Sequence, residues 1–237
     1  MNYKRVIFLI LLLLPACDKL ERTNVLEPDG SEYLSVMDFS EALTLDPVPD
    51  GWHHRTFWRH SPMDISFITK DERPSIRLST DNTASMLFRY VDIQLNQYPF
   101  LSWEWFIEQG IYSDLSELTP EGDDHPARFY LSFEAENGDT HRMEIIWGNK
   151  ELHRGDWKHL KFSETRSFPH YVANGGEENI GQWHAEKVDL TELYQTLWGS
   201  AKGAKLKEIA LFCDTDETDL KSIAYFSNIG IEKATSN

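Results

Sequence analysis

This chain is nearly free of cysteine and poor in basic residues. Its cysteines are Cys17 and Cys213, so no intramolecular disulfide can form if Cys17 is modified. Cys213 ends an apolar segment, which is typical of a buried small hydrophobic side chain. Against 39 Asp and Glu stand 23 Lys and Arg, and the formal net charge is −16. Nucleic acid repels so acidic a chain, and we expect no nucleic-acid partner.

The common catalytic signatures are missing as well. The sequence contains no Gly-x-Ser-x-Gly elbow, no His-Glu-x-x-His and no phosphate-binding loop. Its nine histidines show no metal-ligand spacing, and the adjacent His53 and His54 would face opposite ways on a strand. These absences favour a non-catalytic role, although they leave open an enzyme built on carboxylates.

Long hydrophobic runs are confined to the N-terminus. Lys4 and Arg5 precede the apolar run Val6–Leu14, which is followed by Pro15-Ala16-Cys17. This is the layout of a secretory signal, and the run is far shorter than the roughly 20 residues of a membrane-spanning helix. A small residue before cysteine resembles the bacterial lipoprotein signal, in which the cysteine is acylated and becomes the first residue. The alternative is an ordinary signal peptide with an incidental cysteine.

The lipoprotein resemblance implies a location. We expect residues 1–16 to be removed and Cys17 to carry palmitate as a membrane anchor. Asp18 resembles the inner-membrane retention signal of Gram-negative lipoproteins. This implies the periplasmic face of the inner membrane, in preference to the outer membrane or secretion. Residues 17–34 are polar, and we expect a flexible tether there, followed by a single domain over residues 35–237.

Short alternating segments dominate the remaining chain. In Phe100–Glu108, the side chains of Leu101, Trp103, Trp105 and Ile107 would share one face. Only Thr191–Trp198 has a helical pattern, with Asp189 or Thr191 as cap and Gly199 as stop. Ile111–Asp124 and Phe168–Gly181 are expected to be long polar connections. The pattern predicts an all-β fold, an antiparallel β-sandwich or jelly roll with one short helix. The other predicted strands are Asp64–Thr69, Ser75–Ser79, Ser85–Asp92, Ala127–Ala135, Arg142–Trp147, Trp157–Phe162, Trp183–Leu190, Leu206–Cys213 and Ser222–Ile231.

Three segments resemble the motifs of a known family. They are a Trp-x-Trp strand at 101–105, Gly-Asp-Asp followed by Ala-Arg at 122–128, and Asp-Thr-Asp-x-Thr at 214–218. In this order they resemble an uncharacterised family of exported bacterial proteins, a domain of unknown function. His125 and Glu217 depart from the family pattern. The family is similar to galactose-binding-like jelly rolls, which implies that fold and leaves the activity open.

Acidic residues at strand ends form the sharpest candidate site. Asp123, Asp124 and Arg128 begin one strand, while Asp214 and Asp216 follow another. If these strand ends are neighbours, the carboxylates converge near one guanidinium. Three interpretations stay open: calcium bound by Asp123, Asp124, Asp214, Asp216 and Asp219, direct contact with sugar hydroxyls, and an internal network in which Arg128 ties the two loops together.

Aromatic side chains give the second candidate. Trp103, Trp105, Trp147 and Trp183 could form a platform for a sugar ring, although core packing suits the first two better because Leu101 and Ile107 flank them. Trp52, Trp58, Trp157 and Trp183 lie nearer turns or strand starts and suit exposed stacking. The function predicted from these features is a lipid-anchored, non-catalytic module that binds carbohydrate or cell-envelope glycan. The alternatives are an envelope adaptor that binds another protein and a carboxylate-based glycan hydrolase.

Overall fold

A computed structural model describes residues 24–40, 42–163 and 166–234. The predicted signal peptide, the lipidation site Cys17 and the sorting residue Asp18 lie outside the described residues and stay predictions. Among the described residues, no helix is long and apolar enough to cross a membrane.

The described residues form thirteen β-strands and one α-helix. The strands are β1 (Tyr33–Ser35), β2 (Trp52–Thr56), β3 (Asp64–Lys70), β4 (Arg73–Asp81), β5 (Ser85–Gln94), β6 (Phe100–Gln109), β7 (Arg128–Glu134), β8 (Thr140–Gly148), β9 (Trp157–Ser163), β10 (Arg166–Gly175), β11 (Trp183–Asp189), β12 (Lys205–Phe212) and β13 (Lys221–Glu232), and the helix is α1 (Leu190–Trp198). The predicted all-β class is confirmed.

The strands form two sheets. One has the order β11-β6-β13-β4-β3, with β1 paired to the end of β13, and the other has the order β2-β5-β12-β7-β8-β10-β9. All pairs are antiparallel except β8 with β10, which run parallel. The molecule is thus a β-sandwich of jelly-roll type, and the parallel pair is its departure from the antiparallel expectation.

The core between the sheets is aromatic. Trp103 and Trp105 of the six-stranded sheet are buried, and they meet Phe129 and Trp147 of the seven-stranded sheet with ring centroids 4.9 and 5.4 Å apart. Edge-to-face pairs at such distances add attraction beyond the burial of apolar area. Phe226 completes the cluster at 5.3 Å from Phe129. The alternation read from β6 therefore describes core packing.

The helix forms where it was predicted. Asp189 caps it by accepting hydrogen bonds from the backbone N–H groups of Thr191 and Glu192 at 2.8 and 3.1 Å, and Gly199 follows the last helical residue. The side chain of Tyr194 packs on Phe133, which attaches the helix to the seven-stranded sheet.

Three expectations about the chain's organisation are corrected. Residues 168–181 are not one polar connection, because β10 occupies 166–175. The strands β1 and β2 were not predicted.

The expected tether is also corrected where the structure describes it, at residues 24–34. Leu26 exchanges backbone hydrogen bonds with the β5 residues Tyr90 and Asp92 at 3.0 Å, and β1 begins at Tyr33. This part of the segment therefore lies on the sandwich.

Candidate functional site

The register of the seven-stranded sheet aligns one residue from each strand in a single row on its outer face. Glu144 belongs to this row and is paired with Tyr130 on one side and with His170 on the other. Successive side chains of a strand point to opposite faces, so the residues two positions away form the neighbouring rows. Arg128 belongs to the next row, beside Phe212. The complete row reads His53, Phe88, Ala210, Tyr130, Glu144, His170 and Lys158.

Arg128 is the centre of a buried group of charges on this face. Its Nη1 atom donates to Glu144 Oε2 at 2.9 Å and lies 3.5 Å from Asp123 Oδ2, while Nη2 lies 2.9 Å from Asp214 Oδ1. Because β7 and β12 are neighbours, the strand start that carries Arg128 meets the strand end that carries Asp214. The structure thus brings Asp123, Arg128 and Asp214 into contact. Among the described residues, the Nη2 and Nε atoms of Arg128 have no well-aligned hydrogen-bond acceptor.

A second layer of the group lies around Lys158. This buried ammonium donates to Asp123 Oδ1 and, at 2.8 Å, to the backbone oxygen of Glu117. His125 Nε2 lies 2.9 Å from Lys158 Nζ, and Nδ1 lies 2.9 Å from the backbone oxygen of Trp147. An ammonium has no lone pair, so Nε2 accepts from Lys158 and Nδ1–H donates to Trp147. Burial and the charge of Lys158 hold the pKa of His125 well below its usual range, which agrees with a neutral ring.

The pKa values of the carboxyl groups in this cluster are shifted in opposite directions. Burial opposes ionisation of Asp123, but its pKa is lowered, and the charge of Arg128 is the largest cause of the lowering. The pKa of Glu144 is likewise lowered by His170 and Arg128 against the effect of burial. Burial raises the pKa of Asp214 well above its usual range, since the charges of Asp124, Asp123 and Glu144 add to it and outweigh Arg128.

Asp124 points away from Arg128 and holds the turn after β12. Its Oδ2 atom accepts from the backbone N–H and the hydroxyl of Thr218 at 2.7 and 2.5 Å. Carboxylate oxygens of Asp124, Asp214, Asp216 and Glu217 lie within 4.8 Å of one another. Although Glu217 as a whole is exposed, desolvation of its carboxyl group, a hydrogen bond to Asp124 and the nearby acidic charges raise its pKa.

The calcium prediction is corrected in its residue set. Asp123 belongs to the Arg128 group, and Asp219 is exposed and is not part of the four-carboxylate group. Glu217, which was not predicted as a ligand, joins that group. Hydrogen bonds from the 217–218 backbone already occupy Asp124, and His60 Nδ1 lies 3.2 Å from Asp216 Oδ2. Calcium binding stays a prediction, now for Asp124, Asp214, Asp216 and Glu217.

An open cleft of about 490 Å³ lies above the Arg128 group. We call it the Trp58 cleft. Its floor includes Asp123, Arg128, Glu144 and Asp214, and its wall and rim include Phe57, Trp58, Arg59, Tyr130, Phe168 and Phe212. Trp58 is 88 % exposed, and the guanidinium of Arg59 lies 4.5 Å from its ring centroid. An exposed aromatic side chain thus stands at the rim, over buried charges.

The segment that carries Trp58 is a turn with contacts after it. The backbone N–H of His60 donates to the oxygen of Phe57 at 3.1 Å, and the backbone N–H of Ala84 donates to the oxygen of Ser61 at 3.0 Å. The ring of His60 contacts Asp216. These contacts hold the backbone of the segment beside the turn that follows β12.

The predicted aromatic platform is wrong for three of its members. Trp103, Trp105 and Trp147 belong to the buried core and are at most 1 % exposed. Trp183 is partly buried on the six-stranded sheet, where it packs against Phe106 and donates to Asp71 at 3.2 Å, so it lies outside the cleft. Among the tryptophans suggested for exposed stacking, Trp52 is buried, whereas Trp58 is the most exposed large hydrophobic side chain of the described residues.

Several residues of the site were missed. Glu144, Lys158 and His170 lie on three strands whose pairing is not local in sequence. A weak signal existed for Glu144, which interrupts the apolar segment from Met143 to Trp147. Sequence spacing held no comparable signal for Lys158 or His170.

The fold and the site define a jelly-roll β-sandwich with a ligand-sized cleft on the outer face of its seven-stranded sheet. The chain belongs to the family described as "Protein of unknown function (DUF3047)", whose model matches residues 50–230. The expectation of an uncharacterised family is confirmed. No curated protein matches the chain.

Solved structures resemble the sandwich at low identity. The xyloglucanase domain of NopAA, an effector of Sinorhizobium fredii solved with cellobiose, has a TM-score of 0.44 and 12 % identity, covering 78 % of this chain and 95 % of its own. Endoglucanase Cel12A of Rhodothermus marinus has a TM-score of 0.44 and 8 % identity, with coverages of 78 % and 92 %. The family 30 carbohydrate-binding module of a Clostridium thermocellum cellulase has a TM-score of 0.35 and 10 % identity, covering 77 % of this chain and 87 % of its own. At these values the likeness concerns the β-sandwich architecture alone.

Proposed function

We propose that this protein binds a saccharide in the Trp58 cleft. One observation carries the proposal: the same cleft has an exposed indole at its rim and a buried guanidinium at its floor whose Nε donor has no hydrogen-bond acceptor among the described residues. A buried donor without an acceptor costs about 1–3 kcal/mol, so a ligand oxygen that reached Nε of Arg128 would recover that cost. The volume of about 490 Å³ is in the range of small-molecule sites.

The chemistry of the lining suits a neutral polyhydroxylated ligand. A sugar ring has an apolar C–H face and a rim of hydroxyl groups that both donate and accept hydrogen bonds. Trp58, Tyr130 and Phe168 provide apolar surface for the face. The ionised Asp123 provides acceptor oxygens and Arg128 provides donors for the rim. The carboxylates of the cleft and the net charge of −16 disfavour an anionic ligand.

The proposal includes a location at the cell envelope. The leader pattern ending at Cys17 supports a lipid anchor, and Asp18 supports the periplasmic face of the inner membrane. A lipid anchor would hold the cleft near the membrane, which makes a cell-envelope glycan the favoured ligand source. Incorporation of radiolabelled palmitate by the wild-type chain and not by Cys17→Ser tests the anchor.

Replacing Trp58 by alanine is expected to weaken glycan binding by roughly tenfold to a hundredfold, because base-stacking aromatic side chains contribute about 1–3 kcal/mol each and a sugar face is a similar contact. The fold should not change, since the side chain is 88 % exposed. Calorimetric titration with soluble β-glucan, mannan, chitin and peptidoglycan fragments measures the effect.

Tyr112→Ala is the matched control, because Tyr112 is 61 % exposed and lies outside the Trp58 cleft. Equal affinities of Trp58→Ala and wild type for a bound glycan would contradict the assignment of the cleft. A folded wild-type protein that bound no member of the panel would contradict saccharide binding and favour the adaptor role.

A second candidate function is carboxylate-based glycan hydrolysis. Asp123 and Asp214 line the same cleft, and their pKa values are shifted in opposite directions. Such a division is typical of a base or nucleophile paired with a general acid. Release of reducing ends from a bound glycan by wild type and not by Asp214→Asn, with binding retained, would establish this activity.

A further inference from the structure

A second cleft adjoins the Trp58 cleft on the outer face of the seven-stranded sheet and extends past the start of β8 to helix α1. We call it the Trp198 cleft. It has a volume of about 570 Å³, and its lining includes Tyr130, His141, Arg142, Phe168 and Trp198. Tyr130 and Phe168 line both clefts, and their ring centroids are 6.1 Å apart. The two clefts therefore adjoin at one pair of rings.

A third depression extends the same surface. It has a volume of about 230 Å³ and shares Tyr130, Thr140 and Arg142 with the Trp198 cleft. Along β7, the outward-facing residues run from Arg128 under the first cleft to Glu134 beside the third. The six residue steps from Arg128 to Glu134 span about 20 Å of extended strand, which is longer than a single sugar ring.

The Trp198 cleft repeats the chemistry of the Trp58 cleft. The rings of Trp198 and His141 stack with centroids 4.6 Å apart and an interplanar angle of 16°, which gives a broad, half-buried aromatic surface. Arg142 is exposed and supplies guanidinium donors beside it. Each end of the trough thus offers an aromatic side chain together with an arginine, separated by the pair of Tyr130 and Phe168.

We infer that the ligand is a linear oligosaccharide or polysaccharide that lies along this trough and fills both clefts, rather than a single terminal sugar. This inference rests on the proposed saccharide binding. The Trp58 cleft holds one end of the saccharide, and Tyr130 and Phe168 contact its middle. Arg142 and Trp198 hold its other end.

A length series tests the inference with the full chain, purified in a zwitterionic detergent that carries no sugar. Calorimetry is run with disaccharides, tetrasaccharides and hexasaccharides of β-1,4-glucose, β-1,4-mannose and N-acetylglucosamine. For the linkage that binds, wild type should bind the hexasaccharide at least roughly tenfold more tightly than the disaccharide. Arg142→Ala should lose roughly tenfold for the hexasaccharide and nothing for the disaccharide, because one charged hydrogen bond has about that value.

Lys221→Ala is the matched control, since it removes an exposed positive charge on the six-stranded sheet. Trp58→Ala should weaken binding at every length. Equal affinity of wild type for all three lengths, or no effect of Arg142→Ala on the hexasaccharide, would overturn the extended site while saccharide binding stood. Failure to bind at any length would overturn both, and the two failures are therefore distinguishable.

Discussion

Replacing Arg128 by methionine is expected to lower the free energy of unfolding by about 3–5 kcal/mol at neutral pH, because removal of one partner leaves uncompensated buried charges. Arg128 is 2 % exposed and contacts Asp123, Glu144 and Asp214. Methionine retains much of the side-chain volume, so the loss reports mainly on charge. In the Arg128→Met variant, Asp123 keeps its contact with the ammonium of Lys158.

The deficit of Arg128→Met is expected to shrink in acid. In wild type the native pKa values of Asp123 and Glu144 are lowered, so they contribute stability above their unfolded values of about 4 and lose it as pH falls. The variant lacks most of this contribution at neutral pH.

Urea unfolding of both proteins from pH 7 to pH 3 measures this dependence. Arg77→Met is the control, since Arg77 pairs at 3.4 Å with a largely exposed Asp64 and an exposed pair contributes about 0–1 kcal/mol. A deficit of Arg128→Met that is equal at pH 7 and pH 3 would show that lost packing, and not charge, is the cause.

Glu117→Ala is expected to lower the free energy of unfolding by about 3 kcal/mol, because it leaves backbone donors without an acceptor. The buried carboxylate of Glu117 accepts four consecutive backbone N–H groups, from residues 149 to 152, at 2.5 to 3.0 Å. Its own backbone oxygen accepts from Lys158. Loss of the side chain therefore loosens the turn after β8 and one wall of the Arg128 group.

Glu117→Gln should cost less than Glu117→Ala. Its carbonyl oxygen can still accept the three N–H groups that Oε1 holds, while its NH₂ group faces the N–H of Asn149. Glu121→Ala is the control, because Glu121 is exposed in the same connection and a surface change usually alters stability by less than about 0.5 kcal/mol. If urea unfolding gave Glu117→Ala and Glu121→Ala the same free energy of unfolding, the structural role of the Glu117 carboxylate would be contradicted.

Strands in which apolar and polar residues alternate could be predicted from the sequence, and strands without this alternation could not. β6 and β7 have one buried face, so their apolar residues recur at every second position. β10 contains Pro169, His170 and Asn174 and ends on a glycine pair, which together indicate a loop. It forms a strand because it pairs with β8 on one side and β9 on the other. That stabilisation is tertiary and leaves no periodic signal in the segment itself.

The candidate site was predictable to the same extent. Asp123, Arg128 and Asp214 could be grouped from sequence, because the strands that carry them begin and end at polar turns and proved to be neighbours. Glu144 and His170 join through the parallel pairing of β8 with β10, which no local pattern indicates. Composition could not separate a core tryptophan from an exposed one. The predicted platform therefore included the buried Trp103, Trp105 and Trp147, although the flanking apolar residues favoured core packing for the first two and the position of Trp58 near a turn favoured its exposure.

The indole N–H signals of the eight tryptophans provide the most direct measurement of the central claim. In ¹⁵N-labelled protein titrated with the glycan that binds, the signal of Trp58, assigned by its absence in Trp58→Ala, should shift. The signals of Trp103, Trp105 and Trp147 should stay in place, because these side chains are in the core. Saturable binding that shifted Trp183 on the other sheet and left Trp58 unmoved would contradict saccharide binding in the Trp58 cleft.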